Sequence, residues 1–284
     1  MNPNDLTPVE LRNGLWYKRE DLFTLPSGVN GSKLRACLHL ATQAQARGAH
    51  TIVSAASVHS PQSAMAASVA ARLGMKSITV VGGTTEEKAV KHKAIRLAAE
   101  QGTQIIAVPV GYNPYLQAAG RDVCLLDAGM WQLPYGITTP PNASEEDVEA
   151  FLRVGSRQVL NIPPSVRTLV LPFGSGNTAA GVLHGLRHEP HVAELDKIIL
   201  MGIGPDRWGW LKDRIRLPDV EVELVPLHPT WATYGDKMPE AADGIEFHPT
   251  YEGKIVRWAK QFRKDWWVGR DGASMLWIVG GPLR

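Results

Sequence analysis

Seven short runs rich in Val and Ile punctuate the chain, and their spacing constrains its fold more than any other feature. They are TIVSA at 51–55, SITVVGG at 77–83, TQIIAVPV at 103–110, TLVLPFG at 168–174, KIILMGIG at 197–204, VEVELVPL at 220–227 and MLWIVGG at 275–281. Short apolar runs bounded by glycine, proline and polar clusters read as buried strands. Between them lie Ala-rich segments with helical spacing, such as SPQSAMAASVAARLG (60–74) and EEKAVKHKAIRLAAEQG (86–102), the second closed by Gly102 as a C-cap. Alternation of strand and helix predicts an α/β fold with parallel sheets flanked by helices, because each parallel pairing needs a crossover.

The alternation breaks once, over 111–147, where Pro, Gly and polar residues accumulate ahead of a helix expected from about Ser144 to Leu160. NIPPS at 161–165 then reads as a linker. Two lobes follow from this: 1–45 with 161–284 as the larger domain and 46–160 as the smaller, with the first three strands in one sheet and the later four in another. A chain of 284 residues, 44% apolar, has enough material for two such cores.

Composition narrows the function class. Thirty Lys and Arg against 28 Asp and Glu leave a formal charge of +2, so any affinity for a polyanion must come from a local patch. Cys37 and Cys124 are far apart, which supports neither a disulfide framework nor a cysteine-rich zinc site. No metal is expected, and a reducing compartment is the simplest reading. No stretch approaches the ~20 apolar residues of a membrane helix, and MNPNDLTPVELRNG is unlike a secretory leader, so a soluble, cytoplasmic protein is expected.

Three segments carry chemistry. In SGVNGSKLRACLHL, Lys33 opens a helix after two glycines and Ser32. An amine in the first turn meets the positive end of the helix dipole, which disfavours the ammonium form and exposes a nucleophile; the plain alternative is a solvated lysine behind a Ser cap. In LVLPFGSGNTAAGVL, a buried strand runs into Gly174, Ser175, Gly176, Asn177 and Thr178 and then a helix. Backbone N–H groups of such a turn can cradle a phosphate dianion, although a glycine turn can also serve packing alone. It lacks the G-K-[ST] ending of a nucleotide-triphosphate loop. In SAASVHSPQSAM, Ser57, His59, Ser60 and Gln62 surround Pro61 at a helix start, where hydroxyls and N–H groups can hold a substrate carboxylate; Ser60 as a simple N-cap is the plain reading.

In order and spacing, these segments resemble the fold-type II pyridoxal 5'-phosphate (PLP) enzymes, the tryptophan synthase β-like group. The likeness is to the branch containing 1-aminocyclopropane-1-carboxylate deaminase and D-cysteine desulfhydrase. YKREDLF (17–23) resembles the family's K-R-E-D opening, NGSKLR (30–35) its G-G-N-K-x-R, GSGNTAAG (174–181) its phosphate-binding G-S-G-G-T-x-A-G, HPTYEGKIVRW (248–258) its D-P-V-Y-x-G-K, and LWIVGG (276–281) its closing strand. The resemblance places the Schiff base on Lys33 and the cofactor phosphate on 174–178. It matches Tyr234 to a substrate-facing tyrosine and Glu240 to an acidic cofactor residue, and it implies a homodimer. Ser32 and Val58 stand where the family has Asn, Asn177 replaces a glycine, and the stretch between Tyr234 and Tyr251 is shorter than usual, which should open the site.

The implied activity is a PLP-dependent lyase or deaminase acting at the α-carbon of an amino acid or amino-acid-like group. Lys33 would serve as general acid or base, Ser57 as a carboxylate anchor, and Tyr234 or Tyr251 as proton donor. A held carboxylate favours deprotonation or elimination and an unheld one favours loss of CO₂; both stay open. Compact relatives of this kind resemble those of bacteriophages, where such enzymes tailor amino-acid-modified thymine in DNA. WGWLKDRIR (208–216) and WAKQFRKDWWVGR (258–270) interleave basic and aromatic residues in a way that suits DNA, although packing accounts for tryptophans equally well. A non-catalytic small-molecule binder on the same fold is the alternative from another class. A dinucleotide reading of IILMGIGPDRWG fails because Pro205 interrupts the fingerprint.

Overall fold

A computed structural model describes residues 2–140, 142–262 and 271–283. In chain order its strands are β1 (Val9–Arg12), β2 (Leu15–Arg19), β3 (Thr51–Ala55), β4 (Lys76–Gly82), β5 (Gln104–Val108), β6 (Met130–Gln132), β7 (Thr168–Phe173), β8 (Lys197–Gly202), β9 (Glu221–Pro226), β10 (Ala241–Ala242), β11 (Ile245–Glu246) and β12 (Ser274–Ile278). The helices are α1 (Ser32–Ala46), α2 (Gln62–Leu73), α3 (Glu86–Ala89), α4 (Lys93–Glu100), α5 (Asn113–Cys124), α6 (Glu145–Ser156), α7 (Asn177–His188), α8 (Trp208–Lys212) and α9 (Glu252–Phe262). Among the described residues no helix is long and apolar enough to cross a membrane.

The chain forms two compact units, Met1–Phe23 with Glu149–Pro282, and Thr24–Val148 with Leu283–Arg284. These divisions lie at 23/24 and 148/149, against the expected 45/46 and 160/161. Helix α1 packs on α2 of the second unit, while the last turns of α6 pack on α7 of the first, Gly155 against Gly181.

In the second unit the sheet runs β5-β4-β3-β6 and is wholly parallel. The segment 86–102 makes two helices rather than the single one expected. His92 turns extended between them, and the break keeps Ala89, Val90 and Ile95 in one apolar cluster with Val81. Gly102 takes a left-handed φ of 78° just past α4, as a glycine after a helix end does. The irregular stretch 111–147 contains α5 and the edge strand β6, neither of which its composition announces.

In the first unit the sheet order is β1-β2-β12-β7-β8-β9, parallel except for the β1–β2 hairpin. Helix α9 turns Ile255, Val256 and Ala259 onto this sheet, against Leu15, Tyr17, Val170, Ile199 and Leu276. The hairpin is absent from the seven expected strands because its second strand reads LWYKR. Both charges are nevertheless buried, and both are paired, as buried charges must be. Lys18 Nζ donates to Thr7 O (3.0 Å) and Asn161 Oδ1 (2.7 Å), and Arg19 grips Asp21 with two hydrogen bonds (2.9 and 2.7 Å) while also reaching Glu10 (2.7 Å). Glu20 accepts from the Thr7 hydroxyl at 2.9 Å. The K-R-E-D segment is thus an internal polar network of the first unit.

Candidate active site

In the first unit, β7 delivers Gly174 at its C-terminal end, and two residues later Gly176 caps α7 with φ 88°. That conformation suits glycine, and the first-turn N–H groups beyond it have no intrahelical partner. A Cβ on Gly176 would lie 2.6 Å from Trp210 Cζ3, so the indole is packed directly on the loop. Gly176→Ala is therefore expected to force the loop and Trp210 apart. It should cost about 1–3 kcal/mol in strain and weaken cofactor retention about tenfold or more, measured by thermal unfolding and by PLP titration of the apoprotein.

One tyrosine stands against this loop and a second against the turn after β8. A Cβ on Gly174 would sit 3.5 Å from Tyr251 Cε1, and one on Gly204, just beyond β8, 3.5 Å from Tyr234 Cδ2. Their hydroxyls are 2.9 Å apart, so a proton on either is shared with the other. Tyr234 is 47% exposed, which leaves this pair open to a ligand. Behind it, Lys254 is wholly buried and donates to the carbonyls of Thr233 (2.6 Å) and Tyr234 (3.3 Å), fixing the segment that carries Tyr234. Burial lowers the Lys254 pKa, and Asp236 opposes that shift.

Glu240 has both oxygens committed, accepting from Arg257 Nε and Lys260 Nζ, each at 2.8 Å. Burial pushes its pKa up, but Lys260 and Arg257 outweigh this and hold the carboxyl below its ordinary value. A fully buried acid of this unit, which the sequence reading passed over, is Glu252. Its side chain is fully buried, Oε1 accepts the N–H of Val279 at 2.7 Å, and Oε2 has no partner among the described residues. Burial pushes its pKa up to about 8, against the lowering effect of backbone N–H donors. The signal lay within HPTYEGK: an acid directly after Tyr251, on the buried face of α9.

In the second unit, Lys33 is the second residue of α1, and Gly31 (φ 99°) rather than Ser32 is the N-cap. Its surface as a whole is half-buried, yet protein packed around the amine lowers the amine's pKa, with desolvation the one cause. Ser57, His59 and Ser60 share one turn ahead of α2, whose first residue is Gln62. Ser60 N–H donates to Ser57 O (2.8 Å), His59 N–H to Ser57 Oγ (3.4 Å) and Gln62 N–H to Ser60 Oγ (3.3 Å). Pro61 is the N-cap of α2. Gln62 Oε1 accepts Gly136 N–H at 2.9 Å, while its buried amide nitrogen Nε2 has no partner among the described residues. The second unit thus gathers Lys33's helix and the hydroxyl-bearing turn, and the first gathers residues 174–178 with Tyr234 and Tyr251.

Of the two basic-aromatic segments, 208–216 is fully described. In 258–270, Trp258 packs against the core, Lys260 is paired with Glu240, and 263–270 lie outside the described residues.

Known proteins are similar to this chain over nearly its whole length. An O-seryl-dTMP PLP-dependent decarboxylase of Salmonella phage ViI is 28% identical, across 96% of this chain and 81% of its own length. A provisionally named 1-aminocyclopropane-1-carboxylate deaminase of Pyrococcus abyssi (strain GE5 / Orsay) is 29% identical, across 96% of this chain and 86% of its own. The crystal structure of an ACC deaminase homologue superposes with a TM-score of 0.72 at 20% identity, covering 98% of this chain and 90% of that one. The model of the family described as pyridoxal-phosphate dependent enzyme matches residues 5–259, and the chain belongs to that family, with the fold-type II architecture.

Proposed function

We propose that this PLP enzyme removes the carboxyl group of an amino-acid side chain carried on a thymidine nucleotide. The observation that carries the reading is the Tyr234–Tyr251 hydroxyl pair beside the phosphate loop, exposed on the Tyr234 side. Likeness to the O-seryl-dTMP decarboxylase over 96% of this chain supports it.

The residues present fit the cofactor. Gly174 and Gly176 allow a phosphate to approach the backbone at the start of α7, and the orphan Oε2 of Glu252 suits a ring nitrogen. Lys33 would supply the amine that holds the cofactor covalently. Bound PLP supplies an electron sink for the bond broken at Cα. The protein then decides which bond breaks and where the proton comes from. In decarboxylation the Cα–carboxylate bond breaks, CO₂ leaves, and Cα takes a proton in its place. Tyr251 would deliver that proton and be refilled through the Tyr234 hydroxyl, which takes its own replacement from solvent on its exposed side. The turn at Ser57–Gln62 would orient the substrate, with the unpartnered Gln62 amide as a donor.

The test is product analysis. Holoenzyme given O-seryl-dTMP is expected to release one CO₂ per substrate and keep the amine on the nucleotide, while Tyr251→Phe lowers turnover about 10²-fold or more, as loss of a positioned proton donor does. Ammonia from free 1-aminocyclopropane-1-carboxylate or serine, with the nucleotide left intact, would overturn the reading in favour of deamination.

A further inference from the structure

Strands β7, β8 and β9 run parallel, and β7 reaches the phosphate loop at its carboxyl end. At the opposite edge of these strands, α7 ends at His188 while β8 and β9 begin at Lys197 and Glu221, and there the first unit has a cleft of about 470 Å³. The twelve residues of α7, about 18 Å of helix, separate it from the loop. Its volume is that of a small-molecule site. Leu186, Leu195, Pro218 and Val220 give the cleft an apolar wall, and Arg187, His188, His191 and Asp219 bring polar groups to it.

One of these groups is left incomplete by the fold. His191 Nε2 lies 2.9 Å from the Leu186 carbonyl, which can only accept, so Nε2 carries the hydrogen and the uncharged ring keeps its lone pair on Nδ1. Nδ1 is buried and has no partner among the described residues, a costly arrangement that a ligand's donor would relieve. Nearby charges are paired: Glu194 with Arg167, and Lys197 with Glu221 and Glu223, while Glu189 accepts from the Ser156 hydroxyl. Arg187 and Asp219 differ, neither having an ion pair among the described residues. A plain anion would meet Asp219 and the negative end of α7. A plain cation would be placed beside Arg187, and a hydrocarbon would leave Nδ1 unsatisfied. We propose that the cleft binds a free aliphatic α-amino acid. The ammonium faces His191 Nδ1 and Asp219, the carboxylate faces Arg187, and the alkyl chain lies on the apolar wall.

The probe is leucine, titrated calorimetrically into holoenzyme reduced beforehand with borohydride, so that no amino acid can join the cofactor. One leucine per chain is expected to bind. Arg187→Gln, Asp219→Asn and His191→Phe should each weaken it at least about tenfold, the size of one hydrogen bond to a charged group. Isopentylamine, which lacks the carboxylate, and isocaproate, which lacks the ammonium, should each bind at least about tenfold more weakly than leucine. Asp219 is exposed and Arg187 half-buried, so those two variants are expected to keep the wild-type melting temperature, and their lost binding then reports a lost contact. No saturable binding of leucine, equal binding by the three variants, or either fragment matching leucine would overturn the proposal. The result is independent of the reaction proposed above, because CO₂ release from O-seryl-dTMP is read on unreduced enzyme at the other edge of the sheet.

Discussion

Lys33→Ala is expected to lower turnover by at least about 10⁴-fold and to remove the pyridoxyl adduct found after borohydride reduction, because a nucleophile that works with its neighbours is rarely replaced in part. Among the described residues three lysines are placed unusually deep, and their surroundings rank them. Lys18 donates to Thr7 O and Asn161 Oδ1, and Lys254 donates to the carbonyls of Thr233 and Tyr234. Carbonyl acceptors favour the ammonium form and occupy it. Lys33 has no such tie among the described residues, and burial alone draws its pKa down, so it is the one ready to offer a lone pair. Peptide mapping by mass spectrometry reads the result directly. An adduct that survives on Lys18 or Lys254 in the variant, or activity within tenfold of wild type, would sink the assignment.

The second large effect concerns Glu252 and needs no turnover to be seen. Its pKa stands at about 8 in the folded chain against an ordinary 4.5. Below about pH 4.5 the carboxyl is protonated whether folded or unfolded, and its stabilising share is complete. As pH rises toward 8 the unfolded chain gives up this proton while the folded chain keeps it, so stability falls, at a limiting rate of about 1.4 kcal/mol per pH unit. Across the whole window the loss is about 5 kcal/mol. The cofactor-free protein should therefore lose stability from pH 5 to pH 8, and Glu252→Gln, which keeps the shape without the titration, should be much flatter. Urea midpoints at several pH values distinguish the two, and parallel curves for wild type and variant would refute the buried acid as their source.

Much of this was legible in residues. Strands such as TLVLPFG and KIILMGIG announce themselves because parallel strands covered on both faces are apolar along their length. The loop at 174–178 could be found because a phosphate cradle needs glycines at fixed places after a strand. What stayed hidden has a common cause: local composition pointing away from what tertiary contacts impose. LWYKR looks too charged for an inner strand until Glu10 and Asn161 appear as partners from other segments, beside the neighbouring Asp21. Edge strand β6 sits in a stretch whose Pro and Gly suggest only loop. The resemblance matches Glu240 to an acidic cofactor residue and leaves Glu252 on the unassigned x of D-P-V-Y-x-G-K. Only the folded chain shows Arg257 and Lys260 closing on the first while Val279 leaves half of the second unclaimed.

The pairing of β2 with β12, Trp16 beside Met275 through Arg19 beside Ile278, sets the order in which this polypeptide can be completed on the ribosome. The β1–β2 hairpin is made early but must wait until β12 has been translated before its inner neighbour arrives. Meanwhile the four strands from 51 to 132 are made in one stretch and depend on nothing later for their own pairing. A nascent chain halted before position 274 would thus carry one finished sheet and one with an open seam beside β2, a surface suited to capture by chaperones until the final strand is released.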